Sequence, residues 1–147
     1  FALRWLQERK ELAGNQTAVV HGDYRLGNVL VGPDGLRGVL DWEIAHIGNP
    51  IMDLGWICLP AWRYGHRKPV GGFGEYEQLL EGYKEGGGAD ITIESIQYWE
   101  VFGALRWGVM CINMGFSHIN GPHHSLEKAA IGRRTAETEY DLLKLIH

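Results

Sequence analysis

Three polar residues near the start of the chain have the types and spacing that phosphoryl transfer requires. Residues 21–28 have the form H-x-D-x-x-x-x-N, which places Asp23 and Asn28 five positions apart, and Asp41 follows after a short apolar stretch. In phosphoryl transfer the protein mainly positions the reactants and neutralises charge, so it needs a carboxylate near the attacking hydroxyl and oxygen ligands for Mg²⁺. The pattern predicts that Asp23 orients or accepts the hydroxyl proton and that Asn28 and Asp41 bind the metal.

A predicted β-hairpin brings these residues together. The β-rich runs 28–31 and 36–40 flank Gly32-Pro33-Asp34-Gly35, which is a strong turn signal. Chain reversal at this turn returns Asp41 to the neighbourhood of Asn28. Residues 17–20 predict a short buried strand that leads into the loop.

Each of these residues also has a structural interpretation. A single His, Asp or Asn is more often a turn former or a hydrogen-bonded structural residue, and Asp41 could simply end a strand. Three residues of suitable type, at suitable spacing around one hairpin, favour the phosphotransferase interpretation.

Residues 21–56 resemble the catalytic core of the aminoglycoside phosphotransferase and choline kinase-like family, which has a protein-kinase-like fold. The family loop HGD-x-x-x-x-N is matched at 21–28, its second Asp by Asp41, and its G-x-P-x-x-D-L element at 48–54. With Asp-Trp-Glu at 41–43, the chain is most similar to the kinase-like domains fused to some acyl-CoA dehydrogenases.

The resemblance implies a role for each matching residue. It implies that Asp23 is the catalytic base, that Asn28 and Asp41 are Mg²⁺ ligands, and that ATP is the phosphoryl donor. His21 would brace the loop rather than exchange protons. Asp53 would hold the catalytic loop by accepting backbone N–H bonds; the alternative is that Asp53 caps the helix that follows it.

The part of the fold that binds nucleotide has no counterpart in the sequence. Kinases of this fold use an N-terminal lobe with a Gly-rich loop, a strand lysine and a helix glutamate. Upstream of His21 there is only one segment, 1–14, which predicts a helix with Leu3, Trp5 and Leu6 on its apolar side. We therefore expect residues 1–147 to be a C-terminal catalytic lobe that is inactive alone, with the missing N-terminal lobe of the same protein as its partner.

The remainder of the chain predicts helices, so that the fold class is α+β: a mainly helical lobe with a short hairpin carrying the catalytic and metal residues. Thr92 and Ser125 are predicted N-caps, and the segment from Thr92 has an apolar stripe broad enough for a central, nearly buried helix. The predicted helices span 53–62, 73–84, 92–116 and 125–147.

Composition excludes several classes of partner. The net charge of −4 and the absence of a long basic run argue against nucleic acid, and no apolar run reaches the roughly 18 residues of a membrane span. Cys58 and Cys111 lie in apolar surroundings and predict buried free thiols. We expect a cytoplasmic protein.

The acceptor is the least determined part of the prediction. Possible lining residues are Trp62, Trp99, Trp107, Asn113 and His118, although each is more often structural. The basic run 63–68 could attract a carboxylate or phosphate on the acceptor, or could be a solvated loop. Because no dense acidic run is present, we expect a hydroxylated metabolite, such as a hydroxy acid or its thioester, rather than an aminoglycoside.

Three other functions compete with a small-molecule kinase. One is a catalytically inactive pseudokinase or ligand-binding module of the same fold, and another is a purely structural helical domain. A protein kinase is disfavoured because the chain has no Ala-Pro-Glu element after Asp41.

Overall fold

Short strands near the start of the chain are followed by a helical assembly that makes up most of the molecule. The computed structural model describes residues 1–147. The helices are α1 (Ala2–Glu8), α2 (Ile51–Cys58), α3 (Tyr76–Glu85), α4 (Ile93–Asn120), α5 (Leu126–Gly132) and α6 (Thr135–Ile146), and the strands are β1 (Ala18–Val20), β2 (Val29–Gly32), β3 (Gly35–Val39) and β4 (His46–Gly48). Single 3₁₀ turns cover Lys10–Ala13, Leu26–Asn28 and Pro60–Trp62. The predicted α+β class, mainly helical with a short hairpin, is confirmed.

The predicted hairpin is formed by β2 and β3. The two strands are antiparallel, and Gly32 opposes Gly35 across a two-residue loop. Gly35 has φ +107°, a conformation that residues with a side chain rarely adopt, which explains the glycine at this corner. Immediately beyond the strands, the Leu40 N–H donates to the Asn28 carbonyl at 2.8 Å. The chain therefore returns to Asn28 just before Asp41.

The strand predicted at 17–20 is present but is less buried than expected. It forms β1, which pairs antiparallel with β4, a strand that the sequence pattern did not reveal. Only Val20 of β1 is buried, while Val19 is 63% exposed. The prediction of a buried strand was wrong because the two-stranded sheet lies at the surface and only one end of β1 reaches the helices.

The core forms where α2 crosses α4. Six of the eight residues of α2 are buried, and the helix contacts α4 so closely that a Cβ atom on Gly55 would lie 2.6 Å from the Glu100 backbone nitrogen. A second apolar cluster joins the three indoles of Trp56, Trp62 and Trp107. These contacts place Asp53, in the first turn of α2, where its carboxylate contacts the backbone of residues 21 and 22.

The long helix α4 is buried along only part of its length. Thr92 caps it as predicted, with its hydroxyl accepting the Ser95 N–H at 3.3 Å. Toward the C-terminal end, Val109, Ile112 and Phe116 are 51%, 54% and 67% exposed. The prediction of a nearly buried helix was therefore wrong for its last third, because no element packs on that face.

Several helix ends differ from the predicted ones. Helix α1 ends at Glu8, and Leu3 is 65% exposed rather than part of the apolar side. Helix α2 ends before Leu59 because the following Pro60 disfavours the helical conformation at that residue. Ser125 caps α5 as predicted, but the segment after it is divided between α5 and α6 at Arg133 and Arg134.

One ion pair in the helical region has a fully buried carboxylate. Glu100 is fully buried, and its carboxylate accepts from Arg63 Nη2 at 2.6 Å and from the Tyr76 hydroxyl. Arg63 also donates twice to the Cys58 carbonyl, at 2.9 and 3.0 Å. Burial raises the pKa of Glu100 to about 7, although the Tyr76 hydrogen bond and the Arg63 charge act in the opposite direction. The first residue of the predicted basic run 63–68 is thus a partly buried group with structural hydrogen bonds.

The two cysteines lie in the interior of the protein. Cys58 and Cys111 are both buried and unpaired, as predicted. None of the helices combines the length and the apolar character needed to span a bilayer.

Candidate active site

The candidate catalytic loop, residues 21–28, is attached to α2 through one carboxylate. Asp53 accepts the backbone N–H of His21 at 2.7 Å on Oδ2 and that of Gly22 at 2.8 Å on Oδ1. Asp53 lies within the first turn of α2, whose N-cap is Pro50, so the alternative that Asp53 caps the helix is wrong. Its two oxygens instead fix the beginning of the loop, which is the arrangement that the resemblance implied.

His21 connects the loop to the end of the hairpin. Its Nδ1 accepts the Asp23 N–H at 3.1 Å, and its Nε2 lies 2.7 Å from the Leu40 carbonyl oxygen. One ring nitrogen must therefore accept and the other must donate, which assigns the neutral tautomer with hydrogen on Nε2. His21 is 3% exposed, and the centroid of its ring lies 4.6 Å from the centroid of the Trp42 ring. His21 is placed to brace Asp23 and the segment before Asp41, rather than to reach a substrate.

Three side chains surround the Asp23 carboxylate. Trp56 Nε1 donates to Oδ1 at 2.8 Å, and Asn28 Nδ2 donates to Oδ2 at 2.8 Å. Arg25 Nε lies 3.2 Å from Oδ1 and 3.1 Å from Oδ2 and forms an ion pair with the carboxylate. The side chain of Asp23 remains 20% exposed. A solvent-accessible carboxylate held from several sides can accept a hydroxyl proton without changing its orientation.

Asn28 and Asp41 present oxygen atoms that have no partner within the protein. Asn28 is buried, and its amide nitrogen donates to Asp23. Its carbonyl Oδ1 accepts no hydrogen bond from the protein. Asp41 is exposed, forms no ion pair or hydrogen bond, and has φ +67°. This left-handed conformation is uncommon outside glycine, although Asp and Asn tolerate it better than most residues. It is the kind of backbone outlier that occurs at functional sites.

These two oxygen donors fit a magnesium ion. Mg²⁺ prefers hard oxygen ligands and is usually held by one or two carboxylates, with substrate phosphates and waters completing its shell. The chain has no cluster of three or more His, Cys, Asp or Glu side chains suited to a metal. A pair formed by Asn28 Oδ1 and the Asp41 carboxylate therefore suits an ion that arrives with a phosphate better than one held by the protein alone.

Three residues at the site were not singled out from the sequence as site residues. Arg25 and Trp56 contact Asp23, and Arg106 Nη1 donates to the Gly22 carbonyl at 3.0 Å. Arg25 could have been found from its position, since it lies two residues after Asp23 in the same loop. Trp56 and Arg106 carried no such signal, because they are 33 and 84 residues from their partners.

The possible acceptor-lining residues lie at different places in the helical region. Trp62 and Trp107 are buried and pack against Trp56, and the Arg25 guanidinium lies 5.2 Å from the Trp62 ring centroid. Trp99 Nε1 donates to the Ala13 carbonyl at 2.9 Å, and His118 Nδ1 accepts the Ser125 N–H at 3.1 Å. Asn113 lies on the exposed part of α4. Trp99 and His118 therefore have structural hydrogen bonds of their own.

Known proteins share sequence with a large part of the chain. A family model described as phosphotransferase enzyme family, APH, matches residues 1–98. Human acyl-CoA dehydrogenase family member 11 is 29% identical over 113 residues, covering 70% of this chain and 14% of that protein. Mouse acyl-CoA dehydrogenase family member 10 is 30% identical over 107 residues, covering 71% of this chain and 8% of that protein. The chain thus spans a small part of these curated relatives.

A solved structure has the same fold. A Ralstonia eutropha JMP134 protein, provisionally assigned as an aminoglycoside phosphotransferase, superposes with a TM-score of 0.69 at 20% sequence identity. The match covers 99% of this chain and 54% of that chain. Together with the family model, the likeness confirms the predicted resemblance: the chain belongs to the phosphotransferase enzyme family, APH.

Proposed function

We propose that this chain is the catalytic lobe of an ATP- and Mg²⁺-dependent phosphotransferase that acts on a hydroxyl group of a small molecule. The observation that carries the proposal is that Asn28 links Asp23 to the segment that leads into Asp41. Its side chain donates to Asp23, while its backbone carbonyl accepts the N–H of Leu40, the residue before Asp41. The candidate base and the candidate metal ligands therefore form one connected unit.

Each residue has a separate task in the proposed reaction. Asp23 holds the acceptor hydroxyl by hydrogen bonding and takes its proton as the new O–P bond forms and the bond from the γ-phosphorus of ATP to the leaving ADP oxygen breaks. Asn28 Oδ1 and Asp41 would hold Mg²⁺, which, when bound, neutralises charge on the transferred phosphoryl group. His21 and Asp53 keep the loop in place through the bonds described above.

The two guanidinium groups near Asp23 favour an acceptor molecule that does not carry several positive charges. The guanidinium of Arg25 pairs with the Asp23 carboxylate, and that of Arg106 bonds the neighbouring Gly22 carbonyl. Two positive groups next to the nucleophile position would repel a polycation such as an aminoglycoside. We therefore propose a hydroxylated metabolite, such as a hydroxy acid or its thioester.

The surface around the site supports docking of a nucleotide-binding lobe from the same protein. The sheet region exposes apolar side chains that a two-stranded hairpin cannot bury by itself. Those more than 45% exposed are Val19, Leu30, Val31, Leu36, Leu40, Trp42 and Ile47. They surround the segment that presents Asp41. We propose that the N-terminal lobe covers this face and brings the ATP phosphates to Asn28 and Asp41.

The proposal is tested by measuring the rate of ATP consumption. The protein assayed is a longer one, in which residues 1–147 follow their natural upstream sequence. The acceptor panel contains hydroxy acids, their thioesters, amino alcohols, sugars and aminoglycosides. We expect turnover that depends on one acceptor class and on Mg²⁺, and that falls at least about a hundredfold in Asp23→Asn, because the general base is removed. Asp34→Asn is the matched control, since Asp34 lies in the exposed hairpin turn and pairs only with Arg37.

The outcomes separate the proposed function from its competitors. Retained Mg²⁺-ATP binding with no turnover on any acceptor would favour a pseudokinase or ligand-binding module. Absence of nucleotide binding would favour a structural domain and would overturn the proposal. Equal activity in Asp23→Asn and Asp34→Asn would reject Asp23 as the base.

A further inference from the structure

We propose that Trp56 is a positioning residue whose indole N–H fixes the orientation of the Asp23 carboxylate. This inference rests on the proposed function of Asp23 as the group that receives the acceptor hydroxyl. Trp56 Nε1 lies 2.8 Å from Asp23 Oδ1, within hydrogen-bond distance, and the two residues are 33 positions apart in the sequence. Helix α2 would then set the direction in which the catalytic loop presents its carboxylate.

The indole of Trp56 is held rigidly enough for this role. The residue is 3% exposed, and its ring packs against Trp62 at 5.7 Å and Trp107 at 6.4 Å between centroids. On another side, the Arg106 guanidinium lies 4.9 Å from the ring centroid, and Arg106 also bonds the Gly22 carbonyl. A donor whose ring is packed on several sides can hold a carboxylate in one orientation.

The hydrogen bonds to Asp23 leave little freedom for a second orientation. An ionised carboxylate offers about four acceptor positions on its two oxygens. Trp56 occupies one on Oδ1, Asn28 one on Oδ2, and Arg25 Nε is shared between both oxygens. About one position remains for an incoming hydroxyl. Loss of the Trp56 donor would leave Oδ1 with only its share of the Arg25 Nε bond, so that the carboxylate could rotate away from the acceptor.

The other two indoles of the cluster show that this bond is not a general consequence of packing. Trp62 and Trp107 are buried like Trp56, yet the Nε1 atoms of both have no hydrogen-bond partner. Trp56 is therefore the member of the cluster whose N–H reaches the catalytic loop. Trp107→Phe supplies a matched control, because it makes the same change of ring in the same cluster without removing a hydrogen bond.

The first test needs no substrate. In the ¹⁵N-labelled chain, the indole N–H signal of Trp56 is assigned as the one lost in Trp56→Phe. Because this N–H donates to a charged group, we expect Asp23→Asn to move it upfield by more than the indole signal of Trp107. Asp34→Asn should move neither signal. A Trp56 signal that stays in place in Asp23→Asn would overturn the proposal.

The second test separates positioning from stability. In the active protein with its upstream sequence, we expect Trp56→Phe to lower kcat about 10- to 100-fold while KM for ATP stays within about twofold, since the lost bond acts on the acceptor hydroxyl. Trp107→Phe should lower kcat by less than about threefold. Equal losses in the two variants would reject the role of Trp56. Absence of wild-type turnover would reject the proposed function instead.

Discussion

The loop-and-hairpin region, residues 18–48, and the helical region that begins with α2 are built in opposite ways. None of residues 29–47 is buried, whereas six of the eight residues of α2 are. The first region keeps its shape through hydrogen bonds, such as those of His21 and Asn28, and the second through apolar packing. The candidate catalytic groups therefore lie in a segment that is held by hydrogen bonds. Only a few side chains connect this segment to the packed helices.

Those anchor points are side chains of the helices that reach into the loop. Asp53 and Trp56 come from α2 and Arg106 from α4, and together they bond the backbone of residues 21 and 22 and the Asp23 carboxylate. Because the anchors are few, a shift of α2 against α4 would be transmitted directly to the site. Single substitutions in either region should therefore reveal how far the first region depends on the second.

The largest effect is expected where α2 meets α4. In Gly55→Ala the added Cβ would conflict with backbone atoms of Trp99 and Glu100, which cannot move aside as a flexible side chain would. We expect a loss of about 3 kcal/mol in the free energy of unfolding, measured by urea denaturation. We also expect faster hydrogen exchange at the His21 and Gly22 amides, since Asp53 moves with α2.

A glycine on an exposed helix provides the control for this change. Gly82 lies inside α3, and a Cβ atom there would have no neighbour within 4 Å. Gly82→Ala should stabilise the protein by about 0.5–1 kcal/mol, because alanine is the better helix former. If both variants were equally stable, close packing of α2 on α4 would not be what supports the site.

A smaller, pH-dependent effect is expected from the buried Glu100. The pKa of Glu100 in the folded protein, about 7, lies above its ordinary value of 4.5 because burial disfavours the charged form. The folded state therefore binds more protons than the unfolded state between these values. The contribution of Glu100 to stability is complete below about pH 4.5 and is lost as the pH rises through about 7.

Urea denaturation at a series of pH values measures this dependence. From about pH 5 to about pH 8, we expect the free energy of unfolding to fall by on the order of 1–3 kcal/mol on account of Glu100. Glu100→Gln, which cannot ionise, should remove that slope while keeping an acceptor for Arg63. A slope that is the same in both proteins would show that the carboxyl of Glu100 remains ionised across this range.

The smallest effect is expected on the hairpin itself. Leu36 lies on β3 and is 61% exposed, so Leu36→Ser removes little buried apolar area. We expect a change below about 0.5 kcal/mol in the free energy of unfolding of the chain. In the protein with its upstream sequence, the same variant should weaken ATP binding if the N-terminal lobe covers this face. Unchanged ATP affinity would argue against that docking surface.

The features that were predicted correctly from the sequence depend on residues close together in the chain. The hairpin follows from the turn 32–35 between two β-rich runs, and the caps at Thr92 and Ser125 act within three residues. The proximity of Asn28 and the segment before Asp41 follows from that hairpin. Local patterns succeed here because the hydrogen bonds concerned close short loops.

The predictions that were wrong depended on contacts between distant elements. The degree of burial of β1 and the exposed end of α4 are decided by which other elements cover them, and no pattern within a strand or helix encodes that choice. The packing of Trp62 and Trp107 against Trp56 is likewise not encoded by any local pattern. Their indoles meet Trp56 only after α2 and α4 have packed.

The sequence by itself determined the types and spacing of the candidate site residues: an Asp, an Asn and a second Asp carried by a loop and a hairpin, in a chain of the phosphotransferase enzyme family. The tertiary structure alone decided how the Asp23 carboxylate is held. Trp56 lies 33 residues from Asp23, and Arg106 lies 84 residues from Gly22. Local sequence can specify a turn and its hydrogen bonds, but a donor from a distant helix reaches the loop only when packing of the whole core brings it there.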